Sequence, residues 1–212
     1  YMAYKNLKTY QNAVIIHDFT AEFVKKHISQ FSRTVEQMIQ AARSGSQNIV
    51  EGSEQQGGAT ELPKGSKNEH YLLGIARGSL KELQQDYEDI LRQNKLPVWS
   101  KEHARAQEVR QLAYRPDRTH TTYKPYIADR EQACNAMLCL INQTTYLIDQ
   151  QRKAIEKQML EKGVSLETHA QKVRRIMATE KKREQEVDAM IKETMRKEGD
   201  PVIFKQIYGE NP

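Results

Sequence analysis

The series Leu73, Ala76, Leu80, Leu83, Tyr87, Ile90 returns an apolar residue every three or four positions without interruption. A chain spaced in this way lines those groups along one face of an α-helix and must bury that face against other elements. Leu72 and Ile75 widen the stripe, Ser66-Lys67-Asn68-Glu69 has the form of a capping box, and Pro97 closes the far end. A helix over about 67–94 is therefore predicted. Gly74 and Gly78 lie four apart on one side of it and offer a small-residue surface to a neighbouring backbone.

The same periodicity predicts further helices. One covers about 7–28, with the stripe Leu7, Tyr10, Val14, His17, Ala21, Val24, Ile28 and with Ile15, Phe19 and Phe23 widening it. His17 reads as a core histidine. Another covers about 34–51, opened by the capping box Thr34-Val35-Glu36-Gln37, with the stripe Val35, Met38, Ile39, Ala42, Gly45, Ser46, Ile49. Gly52 is placed to end it in a left-handed conformation.

The centre of that helix, QAARSGSQNIVEG, is poor in helix propensity, since an interior glycine costs about 1 kcal/mol relative to alanine. Close contact would offset the loss. Ala42 and Gly45 are expected to meet Gly74 and Gly78, with Glu51 and Glu82 pairing with Arg43 or Arg77 at the edges of the seam.

Residues 53–65 read as a loop, and 97–128 as an insertion in which Ser100-Lys101-Glu102-His103 caps a short helix to about Ala113. A helix over 129–161 follows, with two seams, Ala133, Met137, Leu140, Thr144, Leu147 and Cys134, Leu138, Ile141, Thr145, Ile148. Both turn polar toward Arg152, so its second half is expected to project beyond the core. Residues 162–212 hold one more helix, too charged for a core, and an apolar tail with Val202, Ile203 and Phe204. The predicted fold is all-α: an up-and-down four-helix bundle over 1–161 with an inserted loop and short helix, then an extra C-terminal helix in 162–212.

Composition narrows the function classes. No run of about 18 apolar residues exists, so no membrane span is expected. The start of the chain lacks a charged-then-apolar leader pattern, and the chain reads as cytoplasmic. Cys134 and Cys139 lie five apart on a helix, point to different sides, and read as small core residues. The sequence holds no His-x-x-Glu-His, Cys-x-x-Cys, P-loop or nucleophile-elbow pattern, so no catalytic set, metal site or cofactor is expected. The net charge of +5 is compatible with an anionic partner such as RNA or DNA.

Three stretches carry a resemblance: YKNLKTYQNA at residues 4–13, QAARSGSQNIVEG at 40–52, and LGIARGSLKEL at 73–83. In order and spacing they resemble the bacterial four-helix-bundle proteins encoded in intervening sequences of large-subunit ribosomal RNA genes, and the accessory variability proteins of diversity-generating retroelements. The resemblance covers roughly residues 4–95. It implies a bundle assembling into a closed homo-oligomeric ring, typically a pentamer, with a basic surface for nucleic acid and no known enzymatic activity. A reverse transcriptase is the protein partner it suggests. The insertion and the C-terminal helix depart from the plain pattern and look like the long form with a suffix domain.

The insertion is the basic stretch that fits such a surface. It holds Lys101, Arg105, Arg110, Arg115, Arg118, Lys124 and Arg130 against Glu102, Glu108, Asp117 and Asp129, with Tyr114, Tyr123 and Tyr126 interleaved. Cations neutralise phosphates, and tyrosine rings stack on unpaired bases. The plainer alternative is a solvated loop that packs its tyrosines on the bundle. A second basic set, Lys172 to Arg183 with Arg152, Lys153 and Lys157, alternates closely with glutamates and reads as a solvated helix face. If the protein is instead a scaffold without nucleic-acid binding, the C-terminal helix and tail are where a partner would be recruited.

Overall fold

The structure, a computed structural model, describes residues 3–54, 64–163 and 169–198, with Ile207 and Gly209. Among them the chain is all-α, with no strand. Its helices are α1 (Lys8–His27), α2 (Arg33–Glu54), α3 (Lys64–Gln93), α4 (Ala104–Leu112), α5 (His120–Tyr123), α6 (Arg130–Glu161) and α7 (His169–Glu198). Short 3-10 turns, Ala3–Asn6 and Lys124–Ala128, flank α1 and α6. The chain divides into two compact units, Tyr1–Val164 and Ser165–Pro212.

In the first unit α1 packs on α2, α2 on α3, α3 on α6 and α6 on α1, which closes a four-helix bundle. Paired residues give the directions. Gly45 lies against Leu80 and Gly52 against Glu69, so α2 and α3 are antiparallel. Arg77 Nε lies 2.8 Å from Asp149 Oδ1 while Arg130 donates to Asn94 Oδ1, so α3 and α6 are antiparallel as well. Thr9 bonds to Gln151 at 3.2 Å and Arg130 donates to the His27 carbonyl at 3.0 Å, which sets α1 against α6 in the same sense. The bundle is up-and-down.

The α3 stripe forms the centre of the core, with Leu73, Ala76, Leu80, Leu83 and Tyr87 fully buried. Tyr87 keeps its hydroxyl satisfied there by Thr20 Oγ1 at 2.9 Å, and burial pushes its phenol well above the usual range. Cys134 is buried and Cys139 half-buried, both as free thiols, and burial raises both, Cys134 to about 12. No described helix is long and apolar enough to cross a membrane.

Several expectations are corrected. On α1 the core face is Ile16, Phe19 and Phe23, while Val14 and His17 are only half-buried. Two apolar stripes compete on this helix, and the one with the larger side chains removes more surface from water. On α2 Thr34 is not the cap: the helix already includes Arg33, and Ser32 Oγ accepts from the Thr34 N–H at 3.3 Å. Gly52 does not end the helix, which continues to Glu54. It permits close approach instead, since a Cβ there would lie 3.4 Å from Glu69 Cα. Ser66 falls inside α3, which begins at Lys64, and residues 55–63 of the expected loop lie outside the described residues.

The small-residue seam is real on α2 and misplaced on α3. Ala42 and Gly45 are buried, and a Cβ on Gly45 would stand 2.9 Å from Leu80 Cδ2. Gly74 instead faces the Arg152 guanidinium, 3.7 Å from where its Cβ would be, and Gly78 is exposed with nothing within 4 Å. The expected edge ion pairs are not made among the described residues. Arg43, Glu51 and Glu82 are exposed, and Arg77 pairs across to Asp149 on α6.

The second half of α6 does not project free. Ile155 and Met159 are buried, and Gln151 donates to Glu69 Oε1 at 3.1 Å while His70 Nε2 lies 2.8 Å from Glu156 Oε1. Polar residues continue the packing because they find polar partners on α1 and α3. In the second unit, α7 carries i to i+4 pairs such as Lys182–Glu186 and Lys197–Glu193, the pattern of a solvated helix.

Candidate nucleic-acid interface

The insertion folds as α4, α5 and the following 3-10 turn, laid on α1 and α6. Ala106, Val109, Ala113, Tyr123 and Tyr126 are its buried residues. Tyr123 is therefore no base-stacking ring. It is fully buried and its phenol is pushed up to about 12 by burial. A tyrosine read from the sequence as a surface ligand is core here, because the short α5 needs one large side chain to hold it on the bundle.

Four of the predicted basic residues act as latches. Arg118 donates to Asn12 Oδ1 on α1 at 2.7 Å and to the Arg115 carbonyl at 3.0 Å. Arg130 ties α6 to Asn94 Oδ1 at 2.6 Å and to the carbonyl of His27. Arg110 donates to the Lys101 carbonyl, and its own carbonyl accepts from Gln143 Nε2 at 3.1 Å. Lys124 Nζ lies 3.5 Å from Glu22, which also faces His120 at 3.3 Å. Arg105 and Arg115 remain exposed, with Asp117 3.8 Å from Arg115.

Together these latches hold the insertion over a cavity of about 530 Å³ between it, α1 and α6. Lys8, Lys101, Arg110 and Arg118 line it against a single carboxylate, Glu88. Trp99, Tyr114 and Tyr146 give it aromatic walls, and Leu138, Cys139 and Leu147 give it an apolar part. Lys8 Nζ sits 5.8 Å from the centroid of the Tyr114 ring, a cation–π distance.

Trp99 is clamped from several sides. Its backbone N–H donates to Asn135 Oδ1 at 2.7 Å, its indole N–H to Glu131 Oε1 at 3.0 Å, and its ring stacks on His103 with centroids 5.0 Å apart. Asn135, almost fully buried, uses its amide on the Pro97 carbonyl at 3.0 Å. A wall held in this way is preorganised for a ligand and loses little freedom on binding.

No protein-family model, curated protein or solved structure matches this chain. What the cavity does is therefore read from its own chemistry. A concave, cationic site with aromatic walls suits an anion that carries a planar group.

Lys8, Trp99 and Tyr146 belong to this site and were not among the candidates from sequence. Lys8 is far away in the chain and carries no local signal. Tyr146 does: it falls off both apolar seams of its helix and is 63% exposed, an aromatic ring left outside the core.

Proposed function

We propose that this protein is a non-enzymatic, cytoplasmic nucleic-acid-binding protein that assembles into a homo-oligomeric ring, a pentamer by the family resemblance, and presents the insertion face to RNA or DNA. The observation that carries the proposal is the convergence of four cations, one carboxylate and three aromatic rings on one cavity. Arg105 and Arg115 extend the positive charge outside it. Phosphate neutralisation by such groups supplies most of the affinity, and aromatic rings add to it without reading sequence. A reverse transcriptase is the protein partner that the resemblance favours.

Neutralising Lys8 and Lys101, both exposed, as Lys8→Gln with Lys101→Gln is expected to weaken single-stranded RNA binding while costing the fold no more than the Lys8–Tyr114 contact, about 0.5–1 kcal/mol. The slope of log affinity against log salt should fall by about 0.7 for each phosphate that is no longer neutralised. Affinity that is independent of salt in the parent protein would contradict the electrostatic mechanism. Solution mass tests the assembly. A multiple of the 24.6 kDa chain is expected at micromolar concentration, and a monomer would contradict the ring.

A second reading, a protein-interaction scaffold, is favoured by α7, which exposes Ile176, Met177, Val187, Met190 and Ile191. Under that reading a protein co-purifies through residues 166–212, of which the tail residues Val202, Ile203 and Phe204 lie outside the described residues, and no nucleic acid binds even at low salt.

A further inference from the structure

We infer that the cavity between α1, α6 and the insertion receives one unpaired nucleoside phosphate unit, its base against the tyrosine rings and its phosphate beside Lys8 and Lys101. This deepens the nucleic-acid reading and rests on it: it makes the protein selective for single-stranded or extrahelical nucleotides over duplex.

The size is right, since cavities of about 300–1,000 Å³ enclose ligands of this class, and this one has about 530 Å³. The rings are available. Tyr114 is 74% and Tyr146 63% exposed, so neither is spent on the core, yet both stand at the cavity. Lys8 Nζ lies over one face of the Tyr114 ring, 5.8 Å from its centroid, so a base stacks on the other face of this 74% exposed ring and the ammonium stays at the same site for the phosphate. The wall also holds an unmet acceptor. Gln143 Oε1 is buried with no hydrogen-bond partner among the described residues, while its amide nitrogen is occupied by the Arg110 carbonyl. Every nucleobase that pairs carries an N–H on its pairing edge, and that donor is free when the base is unpaired. A duplex keeps its base faces stacked and its pairing edges engaged, so it offers this site phosphates alone.

Trp99 is the chain's one tryptophan and lines the cavity, so its fluorescence reports occupancy. The full chain is titrated at low salt with short single-stranded oligoadenylate, a duplex RNA of equal length, AMP and inorganic phosphate. A saturable change in Trp99 emission is expected with oligoadenylate and, at weaker affinity, with AMP. Phosphate should give none, and the duplex should bind at least about tenfold more weakly. Tyr114→Ala with Tyr146→Ala is expected to weaken oligoadenylate binding at least about tenfold, with the parent's helical circular dichroism spectrum and cooperative melting retained. If duplex and single strand bind equally and Trp99 is silent, the inference fails while the nucleic-acid reading stands. A response to AMP without binding of oligoadenylate supports the pocket, with a free nucleotide as occupant, and overturns the nucleic-acid reading. Binding of none of the four overturns both.

Discussion

Gly45→Leu is expected to destabilise the bundle by about 1–3 kcal/mol or more, whereas Gly78→Ala is expected to stabilise it by about 0.5–1 kcal/mol. Both glycines lie inside helices, and their surroundings are opposite. A Cβ on Gly45 would stand 2.9 Å from Leu80 Cδ2 and 3.0 Å from Leu80 Cγ. Leu80 is fully buried, and its Cγ is crowded as well as its terminal methyl, so turning the end of the side chain alone does not clear the space. Interiors are close-packed, and the added atoms must push α2 and α3 apart. At Gly78 nothing lies within 4 Å, so an added methyl meets no neighbour and recovers helix propensity. For a unit of this size each kcal/mol moves the melting temperature by about 2–4 °C, which circular dichroism resolves. An unchanged melting temperature for Gly45→Leu would place that residue outside the seam.

Asn135→Ala is expected to cost about 2–4 kcal/mol and to loosen the cavity wall. The side chain accepts from the Trp99 N–H at 2.7 Å and donates to the Pro97 carbonyl at 3.0 Å and the Glu131 carbonyl at 2.9 Å. Alanine leaves the Trp99 N–H and the Pro97 carbonyl without those partners, in a place where Asn135 is only 2% exposed. Chemical denaturation measures the cost. Trp99 emission measured well below the unfolding midpoint should shift toward that of a solvated indole. Parent-like stability and emission together would show that Asn135 does not hold this wall.

The fold was legible where one periodic signal stood alone. The Leu73 to Ile90 stripe has no rival on its helix, and it became the centre of the core. On α1 two stripes overlap, and spacing alone could not say that Ile16, Phe19 and Phe23 would win over Val14 and His17. Small residues were ambiguous for a related reason. Gly45 and Gly78 look alike in sequence, but what each one faces depends on helix rotation, a tertiary property. The polar end of α6 looked like a projection because Gln151 and Glu156 are polar, yet their partners Thr9, Glu69 and His70 lie on other helices.

The insertion was legible as the place to look and illegible in its roles. Charge identified Arg110, Arg118, Lys124 and Arg130, but an arginine that binds phosphate and one that clamps a carbonyl have the same sequence signal. Here all four are engaged within the fold. Their clamping forms the cavity that Lys8, Lys101, Trp99 and Tyr146 complete. Pairings between distant residues, such as Asn12 with Arg118, leave no local pattern.

Ultraviolet crosslinking of single-stranded RNA to the full chain, with the modified peptides mapped by mass spectrometry, tests the central claim most directly. Crosslinks are expected at Trp99, Tyr114 and Tyr146, abolished at high salt and in the Lys8→Gln, Lys101→Gln protein. Salt-sensitive crosslinks confined to α7, or RNA bound tightly with those three rings unmodified, would contradict the assignment of this cavity as the nucleic-acid interface.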